Sequence, residues 1–323
     1  MAKRLWYTAL TLGLLAMAVL GLTLWLDQRA EARFAGGPGD GWAEGFVEAD
    51  GVRLRYLEAG EGPALVCLHG AYGGAEDWAL TVGPTLARDY RVLAFDRPGH
   101  GFSTRDCDRH ATPREQARSV VAAMDALGLE RPLIAGFSWG AAVSAALISE
   151  WPDRCAGAAL LGAPVRPWEG ETALADRILA TPVLGPVAAR LGGSALARLI
   201  APNALGDAFA PESAPAIYLE DSPIPLALRV DALVHNSQDM AALNAALDLQ
   251  QEQYDRIRVP VELVHGVGDE IVWIDHQARG FQKSVGTAHL TEVVGAGHQL
   301  LYTRGDDVIA AIRRLAARVQ TTD

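Results

Sequence analysis

The chain has 323 residues, half of them apolar, with a formal net charge of −11. That length holds one large α/β domain with an insertion, or two small domains. An acidic balance, with no basic tract in the globular part, argues against nucleic acid as a partner.

Leu5 to Leu26 reads LWYTALTLGLLAMAVLGLTLWL, 22 residues without a charge. At about 1.5 Å per residue such a helix reaches roughly 33 Å, enough to cross a hydrocarbon layer of about 30 Å. Trp6, Tyr7 and Trp25 lie at its ends, where interfacial aromatics belong. A cleaved secretory signal is the alternative, with Ala30-Glu31-Ala32 as its cleavage site, but secretory apolar cores are usually only about 7–15 residues. The run has no polar face, which disfavours a buried core helix. The reading is a membrane anchor over residues 1–27. Lys3 and Arg4 before the span tilt the orientation toward an extracytoplasmic globular part. Among the three cysteines, Cys67 reads as core, and pairing of Cys107 with Cys155 would depend on the fold.

A glycine-rich linker over residues 28–45 follows. Phe46–Glu48 and Val52–Glu58, separated by Asp50-Gly51, predict a hairpin. Ala64–Leu68 is apolar on both faces, as a buried parallel strand should be. A helical pattern over Trp78–Arg88 precedes a strand at Arg91–Phe95. Pro113–Leu127 reads as an amphipathic helix, Leu133–Phe137 as a strand, Trp139–Glu150 as a helix and Ala156–Leu161 as a strand. From Val165 to about Tyr254 the pattern is helical and loop-like, too long for a plain connection. Strands resume at Val259–Val264 and His289–Val294, and Asp307–Val319 is a last helix. Alternating strands and helices imply a parallel sheet with helices on both faces. The parts are a core over 46–164, a helical cap over 165–255 and a second core segment over 256–323.

Gly136-Phe137-Ser138-Trp139-Gly140 sits between a strand and a helix. Such a turn strains the serine backbone, tolerates no bulk two residues away, and exposes the hydroxyl at a helix N-terminus. Ser138 is the candidate nucleophile; a plain turn serine is the alternative. It needs a base, and there are eight histidines. His110 and His235 read as surface or cap residues, His100 as part of a structural turn, and His265 as the end of a strand. His276 and His289 carry no partner signal. His69 follows an apolar strand. His298, in Gly295-Ala296-Gly297-His298, follows the last strand and comes after a candidate acid, giving the order Ser, Asp, His. That acid is Asp269 in Gly266-Val267-Gly268-Asp269-Glu270, at the end of a strand; Glu270 and Asp96 are its rivals. The oxyanion donors would be the backbone N–H groups of Trp139 and of Ala71, in the loop His69-Gly70-Ala71-Tyr72-Gly73-Gly74.

These pieces together resemble the α/β-hydrolase superfamily: HGAYGG, DRPGHGFS, GFSWG, GVGDEIV and GAGH, spread over residues 46 to about 315. The resemblance implies an α/β-hydrolase fold: an eight-stranded, mostly parallel sheet, a helical cap after the sixth strand, and no cofactor or metal. It resembles the branch holding small esterases, carbon–carbon bond hydrolases, lactonases and cofactor-free haloperoxidase-like enzymes. Members with an elbow aspartate act on epoxides or haloalkanes, and Ser138 argues against both. The Trp139 side chain, where dehalogenases hold halide, reads as pocket wall. The implied activity is hydrolysis of a small-molecule carboxylic ester through an acyl-enzyme. Tyr72, Trp168, Phe209 and Tyr218 are candidate pocket residues, and the apolar cap on a membrane anchor hints at a hydrophobic or lipid-like ester. Carbon–carbon hydrolysis would use the same three residues. An inactive, membrane-anchored binding protein is the rival outside enzymes.

Overall fold

The computed structural model describes residues 2–39, 41–105 and 108–321. Its centre is an eight-stranded sheet in the order β1-β2-β4-β3-β5-β6-β7-β8. The strands are β1 Ala43–Ala49, β2 Val52–Ala59, β3 Ala64–Leu68, β4 Arg91–Phe95, β5 Leu133–Phe137, β6 Gly157–Leu161, β7 Val261–Gly266 and β8 Ala288–Val293. The first two form a hairpin around Asp50 and Gly51, both at positive φ, and β2 joins β4 antiparallel. Every other pairing is parallel.

Two consequences position a site. The loops after β3, β4, β5, β7 and β8 all emerge at one sheet edge, because those strands run the same way. The chain also reverses its direction of strand addition around β3, which lies between β4 and β5. Loops diverge at such a point and leave a crevice. His69–Gly74 and the Ser138 corner flank it.

Both faces of the sheet are covered. In β5 the period of two is visible: Ile134 faces one apolar cluster, while Leu133, Ala135 and Phe137 face the other. The first cluster takes helices Pro113–Ala126 and Trp139–Glu150, and the second takes Val308, Ala311, Ile312 and Leu315 of helix Gly305–Gln320. Helix Trp139–Glu150 is buried on all sides from Trp139 to Ser149, which matches its unbroken apolar sequence. Each fully buried leucine of this core contributes about 1.5–3 kcal/mol of transfer free energy.

A helical insertion separates β6 from β7, although those strands pair directly. It includes helices Leu174–Leu179, Ser194–Asp207 and the long Val230–Gln250. Gln250 Nε2 donates to the Ala142 carbonyl (3.1 Å), and Tyr254 Oη donates to the Val165 carbonyl (2.6 Å), tying the cap's base to the core.

Three local expectations are corrected. The pattern over Trp78–Arg88 resolves into two one-turn helices, Glu76–Ala79 and Gly83–Leu86, because Pro84 cannot donate to a continuing helix. His110 is buried rather than on the surface. The first helix also does not end at residue 27: it runs unbroken over Ala2–Phe34. Ala30 and Phe34 are buried, and Asp27 pairs with Arg198 of the cap (3.0 Å), so packing extends the helix into the expected linker. It is the one helix, among the described residues, long and apolar enough to cross a membrane. Cys67 and Cys155 are buried and free, and Cys107 lies outside the described residues.

Candidate active site

Ser138 adopts φ 50° and ψ −120°, a conformation a non-glycine residue adopts only when its surroundings impose it. The flanking glycines are required by contact. A Cβ at Gly136 would stand 2.4 Å from Ser144 Oγ, and one at Gly140 would stand 2.3 Å from the Leu68 carbonyl oxygen. The Ser138 N–H donates to the Leu161 carbonyl (2.8 Å), fixing the corner to β6.

Across the sheet edge the loop after β8 brings His298 to this serine. His298 Nε2 lies 2.9 Å from Ser138 Oγ, and Nδ1 lies 2.7 Å from Asp269 Oδ2. With Asp269 ionised, Nδ1 carries the proton and donates, leaving Nε2 to accept from the serine hydroxyl. Glycines again make the approach: a Cβ at Gly297 would meet the Ala210 carbonyl oxygen at 2.1 Å, and one at Gly162 would meet His298 Cε1 at 3.3 Å. Asp269 Oδ1 accepts from the backbone N–H groups of Ile271 (2.9 Å) and Val272 (2.8 Å). Burial works against the charged carboxylate. Hydrogen bonds from His265 and His298, the charge of His298 and the Val272 N–H outweigh it and hold Asp269 far below the usual carboxylate range.

The rivals lie elsewhere. Glu270 is exposed, its carbonyl accepting from Trp273 Nε1. Asp96 locks loops: its carboxylate accepts from the N–H groups of Ala75 and Phe102 and pairs with Arg55 (3.1 Å). His69 is buried, with Nδ1 against the Gly70 carbonyl and Nε2 accepting from the Arg97 N–H; burial, with Arg97 beside it, lowers its pKa to about 3.

Among the described residues, neither the Ala71 nor the Trp139 N–H has a hydrogen-bond acceptor. The loop carrying Ala71 is held from outside. Tyr72 sits at φ 54°, and its N–H donates to Asn236 Oδ1 of the long cap helix (2.8 Å). Arg97 braces the same loop. Its guanidinium donates to the carbonyls of His69 (3.0 Å) and Gly70 (3.1 Å), pairs with Asp239 of the cap (2.8 Å), and lies 4.5 Å from the Trp139 ring centroid. Asn236 and Asp239 belong to no local motif, and Arg97, inside DRPGHGFS, gives no sign in sequence of its cap partner; these partners lie up to 164 positions away. His265 was read only as a strand end. Its Nε2 lies 2.6 Å from the Val272 carbonyl oxygen and 3.3 Å from Asp269 Oδ2.

The candidate pocket residues divide. Tyr72 Oη donates to Asp176 of the cap (3.2 Å), which also accepts from Ser237 Oγ (2.9 Å). The Trp168 backbone is clamped at both ends by Asn244. Phe209 and Tyr218 are buried in an aromatic cluster with Tyr302, so the structure uses them as packing rather than open wall. The Trp139 ring is likewise buried under Arg97, and its Nε1 has no partner among the described residues. An open hollow of about 510 Å³ in the cap is lined by residues including Pro167, Glu171, Arg177 and Asn244, but not by Ser138, Asp269 or His298. No group of three or more His, Cys, Asp or Glu side chains among the described residues is placed to hold a metal ion.

Comparison with known proteins agrees with this architecture. A family model for the α/β hydrolase fold matches residues 63–185. A 2-hydroxy-6-oxo-6-phenylhexa-2,4-dienoate hydrolase of Comamonas testosteroni is 37% identical over 112 residues, 34% of this chain and 39% of that protein. The acetyltransferase component of the acetoin cleaving system of Pseudomonas putida is 35% identical over 140 residues, 42% of this chain and 37% of that protein. The chain thus spans about two fifths of the length of the curated relatives it matches. Among solved structures, a bacterial membrane phospholipase A superposes with TM-score 0.63 at 19% identity, covering 99% of this chain and 98% of that one. An epoxide hydrolase superposes with TM-score 0.72 at 19% identity, covering 85% and 99%. On its sheet topology, its family-model match over residues 63–185 and these superpositions, the chain has the α/β-hydrolase fold.

Proposed function

We propose that this protein is a membrane-anchored serine hydrolase that cleaves a hydrophobic carboxylic ester. The observation that carries the reading is the continuous hydrogen-bonded chain from Asp269 through His298 to the strained Ser138. In this reading Ser138 Oγ attacks the acyl carbonyl as His298 Nε2 takes its proton. The N–H groups of Ala71 and Trp139 hold the oxyanion. The tetrahedral intermediate collapses to an acyl-enzyme, and His298 returns the proton to the departing alcohol. Water, deprotonated by His298, then attacks the acyl group. The acid leaves and Ser138 regains its proton. Asp269 stays ionised throughout, orienting the imidazole and stabilising its cation. Nothing in the scheme calls for a cofactor.

The apolar span Leu5–Leu26 supports anchoring, and Lys3 and Arg4 before it support an N-terminus inside with the hydrolase domain on the extracytoplasmic side. Carbon–carbon bond hydrolysis is the second reading, favoured by the dienoate hydrolases among the relatives. Against it stands the Asp176 carboxylate, which accepts from Tyr72 Oη and adds negative charge to the cap side of the Ala71 loop.

The test is full-length protein in detergent beside its Ser138→Ala variant, with p-nitrophenyl esters from two to sixteen carbons. Hydrolysis that disappears in the variant supports the ester reading, and the chain-length optimum sizes the pocket. A folded wild type inert to every ester but active on a 2-hydroxy-6-oxo-dienoate would replace it with the second reading. Failure of a fluorophosphonate to label Ser138 would point to an inactive binding protein.

A further inference from the structure

The first helix and the cap share an interface that reaches into the apolar span. Residues 3–18 of the helix are exposed on every side. From there on, reduced exposure recurs at 19–20, 23, 26–27, 30 and 34, a single stripe at helical spacing. The stripe packs on the cap. Asp27 pairs with Arg198 (3.0 Å) and accepts from the Val230 N–H (3.0 Å), Glu31 pairs with Arg229, and Arg33 pairs with Asp221 (3.3 Å). Farther along, a Cβ built on Gly192 would stand 3.5 Å from Val19 Cγ1.

Val19 lies seven residues before Leu26, the end of the apolar run. That is about 10 Å of helix on the hydrocarbon side of Leu26. Whatever packs on Val19 therefore sits at the depth of lipid tails once the helix spans a bilayer. The cap segment that does so is built for that medium. Ile178 to Ile200 contains only two charged residues, Arg190 and Arg198, and both are paired, with Asp231 (3.3 Å) and Asp27. Its large apolar side chains face outward: Val183 is 78% exposed and Leu199 75%, and Leu184, Leu191, Leu196 and Ile200 are also exposed. Water would penalise such a surface, and it exceeds scattered single exposures.

We propose that the cap segment 178–200 is immersed in the same leaflet as the N-terminal helix, its outward side chains solvated by acyl chains. The inference rests on reading that helix as a span and deepens the proposed function. Helix Leu174–Leu179, which leads into the immersed segment, carries the Asp176 that bonds Tyr72 beside the candidate oxyanion donor. An ester dissolved in the bilayer would then reach the cap without crossing bulk water.

The experiment uses full-length protein in phosphatidylcholine vesicles, with Cys107→Ser and an environment-sensitive fluorophore on Leu199→Cys. The same fluorophore on Glu171→Cys, an exposed cap site outside the segment, is the control. Immersion predicts that doxyl-labelled lipid quenches the 199 probe while aqueous iodide does not, with the reverse at 171. Iodide reaching the 199 probe overturns the proposal. So does protection from both quenchers, which means a second copy of the chain covers the patch. Leu191→Asp with Leu199→Asp reads the delivery role: hydrolysis of soluble p-nitrophenyl butyrate stays unchanged, while hydrolysis of a long-chain ester carried in the vesicles falls roughly tenfold. Equal rates on both substrates, relative to the parent, would remove that role. A parent inert to esters would defeat the ester reading alone, because the quenching experiment decides immersion by itself.

Discussion

Ser138 depends on residues that hold its partners as much as on the partners themselves. Asp269 supplies a carboxylate kept ionised by donated hydrogen bonds, so Asp269→Asn reverses the donor that faces His298 Nδ1 and favours the wrong tautomer. The expected loss in kcat is about 10⁴-fold with protein stability little changed, measured on a p-nitrophenyl ester. Asn236 acts one step farther out. Removing its Oδ1 frees the Tyr72 N–H and the left-handed turn beside Ala71. A lost oxyanion donor costs about 100- to 1,000-fold, and a loosened one costs less, so Asn236→Ala should lower kcat roughly tenfold with KM nearly constant. A KM effect with unchanged kcat would assign Asn236 to substrate binding instead.

At the scale of elements, the corner between β5 and helix Trp139–Glu150 is determined by close backbone approach. Gly140 faces the carbonyl oxygens of Leu68 and His69 at distances a Cβ cannot share, 2.3 and 2.6 Å. These are main-chain atoms at the end of β3, so relief requires moving a strand. Gly140→Ala should cost about 1–3 kcal/mol, measured by chemical denaturation, and should lower kcat as the Ala71 loop shifts away from Ser138. Gly286, where no atom lies within 4 Å of an added Cβ, provides the control: Gly286→Ala should leave activity unchanged.

Across the whole molecule, a buried charge network joins the edge strands to the site loops. Arg55 is fully buried and pairs with Glu44 (2.8 Å), Glu76 (2.8 Å) and Asp96 (3.1 Å). Burial and the Asp96 charge raise the Glu76 carboxyl to about 7, against the pull of Arg55. Between its ordinary value near 4.5 and that raised value, the folded protein holds more proton at this site than the unfolded chain. Stability from this group is therefore full below about 4.5 and falls as pH rises toward 7. Melting temperature should decline from pH 5 to 7, and Glu76→Gln should flatten the decline while keeping a hydrogen bond to Arg55. An equally steep decline in the variant would assign it to another group.

Some of this was legible in the chain alone, because it depends on local backbone chemistry. A serine between glycines after an apolar strand declares a strained corner. The glycine-flanked Asp269 and His298 declare strand-end loops, and 22 uncharged residues declare a long apolar helix. The two halves of the sheet could be matched across the cap because the strand pattern resumes at Val259. Only the tertiary structure brought His298 to Ser138 over 160 positions, since that closeness arises from pairing β6 with β7 and β7 with β8. It alone recruited Asn236 and Arg97, whose partners are distant in the chain, and set His265 against the Asp269 carboxylate. The chain likewise gave no sign that Phe209 and Tyr218 would turn inward onto Tyr302, or that the first helix would run on to Phe34. Both follow from apolar surfaces that exist only once the cap has folded.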